Sequence, residues 1–249
     1  MVRQGPTVAW MRSVVRTTAA AIAIIAAAVI WRSVESPTYT HRFRLTIEAE
    51  VEGQVRRGSG VIEVRVTDYK VGMPGAKGTH ARVLGEAVFL DLGKGRNVLA
   101  ALGTGPRDSI DGFAELTRAA FMPVHPGLSY RDVPNLTGVA PLTEQQVPTL
   151  VTFSNLRDPK TARVIAPDEF EEVFGSDVRF TRAFVEMVPA GSWPFNRIGG
   201  QAALAGEPIT RGLDKKLPWL PHPHYLDGRP DCDDRDQPHC LHGGHFTRD

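Results

Sequence analysis

The stretch "HRFRLTIEAEVEGQ" sets the strongest constraint on what this chain can become, because polarity alternates residue by residue along it. Phe43, Leu45, Ile47, Ala49 and Val51 fall on one side, and Arg42, Arg44, Thr46, Glu48, Glu50 and Glu52 on the other. Period two is the repeat of an extended strand, whose side chains point to opposite faces in turn. The spacing predicts a half-exposed strand that ends at a turn on Gly53. "GSGVIEVRVTDY" resumes the pattern with Ile62, Val64 and Val66 against Glu63, Arg65 and Thr67. The two runs read as an antiparallel hairpin in which Gly58 and Gly60 permit a bulge or a bend. "HARVLGEAVFLDLGKGRNVLAALG" adds two more strands joined at Gly93 to Gly95, for a meander of about four strands.

The second half is mixed. The 24 glycines and 19 prolines are more than a helical bundle accepts, since both interrupt helix and favour turns. A helix is expected from Ser109 to Phe121, with Ile110, Phe113, Leu116, Ala120 and Phe121 on a broad apolar stripe and Pro123 ending it. Five prolines from Pro123 to Pro148 make that segment an extended covering loop. "TLVTFSNL" reads as a short buried strand and "VRFTRAFVEMV" as another. Between them "APDEFEEVFG" reads as a short helix, with Pro167 in its first turn and Gly175 as its stop. Its acidic residues Asp168, Glu169, Glu171 and Glu172 suit the positive end of the helix dipole. The fold class expected is α+β, mainly antiparallel β-sheet with one or two short helices, preceded by an N-terminal transmembrane helix.

That helix is read from "TTAAAIAIIAAAVIW", residues 17 to 31, fifteen uncharged residues between Arg16 and Arg32. At about 1.5 Å per residue the run covers roughly 22 Å, short of the ~30 Å hydrocarbon core. Arg16 and Arg32 can snorkel to the two interfaces and Trp31 suits an interfacial belt, so an uncleaved anchor is the favoured reading. A cleaved signal peptide and a soluble helix are the alternatives. Cleavage is disfavoured because Ala26 and Ala28 are followed by Val29, Ile30 and Trp31, still within the apolar run. Arginines flank the run on both sides, so the positive-inside rule gives little bias. A lone N-terminal anchor ahead of a β-rich domain is the usual means of delivering that domain outward. The layout expected is a cytoplasmic N-terminus at 1–16, anchor and linker at 17–36, a β-rich α+β domain at 37–228 and a flexible Cys/His/Asp-rich tail at 229–249. The location expected is the bacterial inner membrane, single-pass, with the main domain periplasmic.

The combination of "FRLTIEAEVEGQVRRGSGVIEVRV", "GEAVFLDLGKGRNVLAAL", "FSNLRDPKTARVI", "EEVFGSDVRF", "LPWL" and "YLDG" resembles an uncharacterised family of proteobacterial membrane-anchored proteins, over residues from about 37 to 228. The resemblance implies single-pass topology and transfers no activity and no site residue. The segment "RPDCDDRDQPHCLHGGHFTRD" runs past the family's usual end near Leu226 to Gly228.

Lys and Arg total 29 against 28 Asp and Glu, which gives no basic field for nucleic acid. "GKGRNVLAALGTG" lacks both G-x-x-x-x-G-K-[ST] and a G-x-G-x-x-G opening a helix, so it is not a nucleotide loop and no cofactor is expected. Ser59 sits in "GSG", where strand residues follow at once and no nucleophile elbow forms. A hydrolase would have to pair Ser59 or Ser154 with His41, His80 or His125. His222 and His224 precede a tail in which Cys232, His239, Cys240, His242 and His245 are candidate metal ligands. Seven residues separate the two cysteines, however, and structural zinc sites pair them more closely. A solvated tail, a Cys232 to Cys240 disulfide and a transition-metal site are the readings, in that order. The function expected is a non-enzymatic binding or structural domain of the cell envelope, held to the lipid bilayer through residues 17–31. Its alternatives are a hydrolase of unknown substrate and metal handling through the tail.

Overall fold

The computed structural model describes residues 37–69, 78–104, 110–192, 195–198, 202–220 and 246–248, together with Ile22 and Ile24. The chain forms two compact units, residues 1–38 with 67–80 and residues 39–66 with 81–249. In the first, the Thr38 and Thr67 hydroxyls are 2.9 Å apart and Asp68 N–H donates to the Pro37 carbonyl at 3.0 Å. Ile22 and Ile24 are helical and exposed. Otherwise the run 17–31 lies outside the described residues, among which no helix is long and apolar enough to cross a membrane.

The second unit is built from two antiparallel sheets with a few short helices, an α+β fold as the patterning indicated. Its strands, whose residues 38, 67–69 and 78–80 belong to the first unit, are β1 (Thr38–Val51), β2 (Gln54–Tyr69), β3 (Gly78–Glu86), β4 (Val88–Gly93), β5 (Arg96–Thr104), β6 (Val139–Pro141), β7 (Pro148–Phe153), β8 (Ala162–Ile165), β9 (Val178–Val188) and β10 (Thr247–Arg248). Six form one sheet in the order β10-β3-β2-β1-β9-β6, and four form the other, β4-β5-β7-β8.

The alternation in β1 and β2 puts Phe43, Leu45, Ile47, Ile62 and Val64 into the main core, where they meet Val88, Leu90, Val98, Ala100 and Leu102 of the smaller sheet. Ile47 and Ile62 are both fully buried. The other face of the smaller sheet carries a second core, in which Leu99, Ala101, Val151 and Phe153 pack under Leu213, Leu217, Trp219, Leu220 and Phe246. Burial on both faces explains why β7 is apolar and β-branched without alternating.

Three features differ from the expected meander. The segment 78–93 is two strands in different sheets, not one, so the first half holds five strands. The break falls where Gly85, at φ +152°, backs tightly onto Ile62, and where Ala87 N–H donates to the Phe246 carbonyl at 2.8 Å. The expected covering loop contains β6, which pairs with β9 from Val139↔Glu186 to Pro141↔Phe184. The helix expected at 109–121 is two pieces, α1 (Ile110–Ala114) and α2 (Leu116–Phe121), though the apolar stripe through Phe113, Leu116, Ala120 and Phe121 is buried as its spacing requires. The helix read in "APDEFEEVFG" is α3 (Phe170–Phe174), entered through a 3-10 turn at Pro167–Glu169 and stopped by Gly175 at φ +105°. Shorter helices α4 (Phe195–Ile198) and α5 (Ala202–Ala205) follow β9.

Part of the polar face of β1 and β2 is buried, at Arg42, Thr46, Glu48 and Glu63. Glu48 and Glu63, placed at half-exposed positions by the alternation, are 2% and 1% exposed. In the β1–β9 register Arg44 faces Glu186, Glu48 faces Arg182 and Glu50 faces Arg179, and each pair closes as an ion pair. Opposite charges placed directly across a ladder stabilise it, and here Glu48 is the buried member while Arg179 and Arg182 keep their guanidinium ends toward solvent. Segment 229–249, read as a tail, is described only at 246–248, where Phe246 is fully buried against Phe153 and Trp219 and β10 pairs with β3.

Candidate functional site

Two concavities of the second unit carry chemistry. The larger, about 750 Å³, lies where the β4–β5 turn meets the connection after β7 and the 3-10 turn at Leu213–Lys215. The turn is tight because Gly93, Lys94 and Gly95 all adopt positive φ, at 81°, 56° and 80°. Glycine meets that demand without strain, and the lysine between them is carried outward. Asp91 fixes the turn from inside, its Oδ1 accepting the Gly93 N–H at 2.8 Å.

Five cations line this cleft, Lys94, Arg96, Arg157, Lys215 and Lys216, against the single carboxylate of Asp91. Two have partners beyond the rim: Lys94 pairs with Glu52, and Arg96 pairs with Asp177 at 3.2 Å while donating to the Phe174 carbonyl at 3.0 Å. Arg96 in turn holds the Asp177 carboxyl below its ordinary value, through a hydrogen bond first and charge second. Among the described residues, Arg157, Lys215 and Lys216 form no ion pair. The Lys216 ammonium lies 4.4 Å from the centre of the Phe89 ring, a cation–π contact that holds its stem across the cleft wall. Phe89, Leu156 and Pro218 supply apolar lining. Asn97 is spent on structure, since its amide bonds Gly95 and both backbone groups of Phe153.

The second concavity, about 330 Å³, holds His41 beside Asn135, Leu136, Thr137 and Met187. His41 is 4% exposed, stacks on Phe43 at 6.2 Å, and its Nε2 has no hydrogen-bond partner among the described residues. Burial lowers its pKa to about 4, against a smaller opposing pull from Glu63. Arg42 also lines this space but is fully engaged, by Glu63 and by the carbonyls of Asn196, Ala205 and Glu207.

The residues considered for a hydrolase are not brought together as a site. Ser59 is exposed within β2, Ser154 is exposed just after β7 and His125 stacks on Phe121, while His80 is an exposed residue of β3. Among the described residues no hydrogen bond joins a serine hydroxyl to a histidine. The acidic residues of α3 are a capping face, with Glu169 accepting the Ala166 N–H at 2.6 Å. The tail candidates Cys232, His239, Cys240, His242 and His245, and with them His222 and His224, lie outside the described residues. Elsewhere in the described residues no group of three or more His, Cys, Asp or Glu could hold a metal ion.

The cleft was partly visible in the sequence. "GKGR" shares its glycines and lysine with phosphate loops but not their full motif. Arg157, Lys215 and Lys216 join it only through the packing of distant segments. No protein-family model, curated protein or solved structure matches the chain.

Proposed function

We propose that this chain is a membrane-tethered binding domain of the bacterial cell envelope, held in the bilayer by residues 17–31, and that the cleft beside the β4–β5 turn seats its ligand. The observation that carries the reading is the imbalance of charge there, five cations to one carboxylate around a space of about 750 Å³. A concavity of that size with an apolar wall and a few convergent polar groups is what capture of a small ligand requires. Arg157, Lys215 and Lys216 form no ion pair among the described residues, and an anion in the cleft offsets the repulsion among them. The tether is supported by the uncharged run 17–31 and by the helical, exposed Ile22 and Ile24.

Full-length protein in detergent, titrated at low salt with anionic, neutral and cationic small molecules, tests the binding reading. An anion is expected to raise the melting temperature, and Lys215→Glu with Lys216→Glu to abolish the rise. A rise of equal size in the charge-reversed variant would overturn it. The tether is tested separately: the chain should stay with membranes through alkaline carbonate extraction, and a phosphatase fused after Gly228 should be active.

A further inference from the structure

We infer that the cleft takes a phosphate ester carrying at least two negative charges, with Arg157, Lys215 and Lys216 as its charged contacts; this rests on the binding reading above. Three cations that form no ion pair among the described residues set the charge, because a singly charged ligand leaves two of them uncompensated in the cleft. Their origin sets the shape. The guanidinium comes from the connection after β7 and the two ammonium groups from the segment after Gly212, so the donors stand on two separate segments of the cleft wall. A planar carboxylate is served best by two parallel donors in its own plane, whereas a phosphate presents three acceptor oxygens around a tetrahedral centre. Lysines act on it as point charges and need no shared plane.

The size of the space argues for an ester over the bare ion. About 750 Å³ falls within the range of small-molecule sites, far beyond one phosphate group, and Leu156 and Pro218 offer an apolar wall to the remainder. Asp91 gives the ligand a direction. Its carboxylate is anchored by the Gly93 N–H and repels an anion, so the phosphate belongs away from the turn end. The ester can be soluble or the headgroup of an anionic lipid.

Calorimetric titration of full-length protein in neutral detergent, at low salt, distinguishes the outcomes. The probes are pyrophosphate, citrate as a carboxylate of comparable charge, and a short-chain phosphatidic acid below its micelle concentration. The variant is Arg157→Gln with Lys215→Gln and Lys216→Gln, all exposed side chains, with its melting curve checked against the parent. Expected is saturable binding of pyrophosphate, at least tenfold weaker in the variant, in keeping with loss of a charge-assisted hydrogen bond. Phosphatidic acid binding tighter than pyrophosphate would support the ester and assign the lipid source, and the reverse order would overturn the ester in favour of an inorganic phosphate anion. Citrate binding as tightly as pyrophosphate would overturn the phosphate assignment and leave the cleft as an anion site. If none of the three binds, or the variant binds all equally well, the cleft is not the ligand seat and both readings fall.

Discussion

Arg42 Nε donates to Glu63 Oε2 at 2.8 Å, and the two side chains are 5% and 1% exposed. The rest of the guanidinium is spent on the carbonyls of Asn196, Ala205 and Glu207, which pins the segment after β9 across the polar face of β1 and β2. Glu63 Oε1 accepts from Arg65, so the carboxylate is satisfied on both oxygens. Desolvating such ions costs several kcal/mol, and the cost is offset only while every partner stays in place.

Arg42→Met is therefore expected to destabilise the domain by about 3–5 kcal/mol, because it leaves a buried carboxylate half-paired and three carbonyls without their donor. Chemical denaturation of the full chain measures this. Arg42→Met combined with Glu63→Leu should recover part of the loss; a double variant no better than the single would place the cost in the carbonyls. Glu63→Lys should be as harmful as Arg42→Met, whereas Glu52→Lys, on an exposed residue of the β1–β2 turn, should cost under about 1 kcal/mol.

Alternation in "FRLTIEAEV" was enough to locate β1 and to say which residues enter the core, because side-chain period is a property of the strand itself. It could not say what covers the opposite face. Glu48 is paired by Arg57 of β2 and Arg182 of β9, and Glu63 by Arg42 beneath the segment after β9, which Arg42 ties down. The cleft is hidden for the same reason: its turn is local and readable, its cations are not. β10 escaped notice because two residues carry no period, and Phe246 alone in a polar stretch carries no pattern.

Gly58 lies in unbroken strand, where its sequence neighbours suggested a bulge or a bend. A methyl group there would sit 2.4 Å from the Phe89 carbonyl oxygen and 3.0 Å from the Leu90 Cα. Those are backbone atoms and cannot rotate aside. Gly58→Ala should thus separate β2 from β4 and cost about 1–3 kcal/mol. Replacing Ser59, the exposed neighbour, by Ala should be nearly silent in the same melt, and equal losses at the two positions would disprove the close approach.

Phe246 closes the second core, ring to ring with Phe153 at 5.9 Å and Trp219 at 5.8 Å. Composition alone reads residues 229–249 as a flexible, solvated tail, whose loss would cost little. The burial of Phe246 reverses that expectation: Phe246→Ala should cost about 3–5 kcal/mol, and deletion of 246–249 at least as much, since the Ala87 N–H then loses its acceptor. Protection of the Ala87 amide from hydrogen exchange should fall with either change. A truncated protein that melts with the full chain would show that the second core closes without it.

His41 ties stability to pH. Its imidazole binds a proton near 6.5 in the unfolded chain and only at about 4 in the folded one, where burial penalises the cation more than Glu63 favours it. Between those values the unfolded state holds more protons, so stability falls as pH drops from about 6.5 and the loss levels off below about 4. The gap corresponds to about 3 kcal/mol. Asp132 and Asp177 also have lowered pKa values, by Ser129 and Arg96 respectively, and their contributions are lost only in more acid solution, below the ordinary carboxyl range. His41→Phe keeps a ring against Phe43, where the adjoining space of about 330 Å³ can take it, and removes the titrating group. Denaturation midpoints from pH 7 to pH 4 should therefore slope steeply in the parent and only weakly in His41→Phe, with the two proteins diverging most near pH 4. Parallel slopes would mean that the acid sensitivity resides in the ion pairs of the polar face and not in His41.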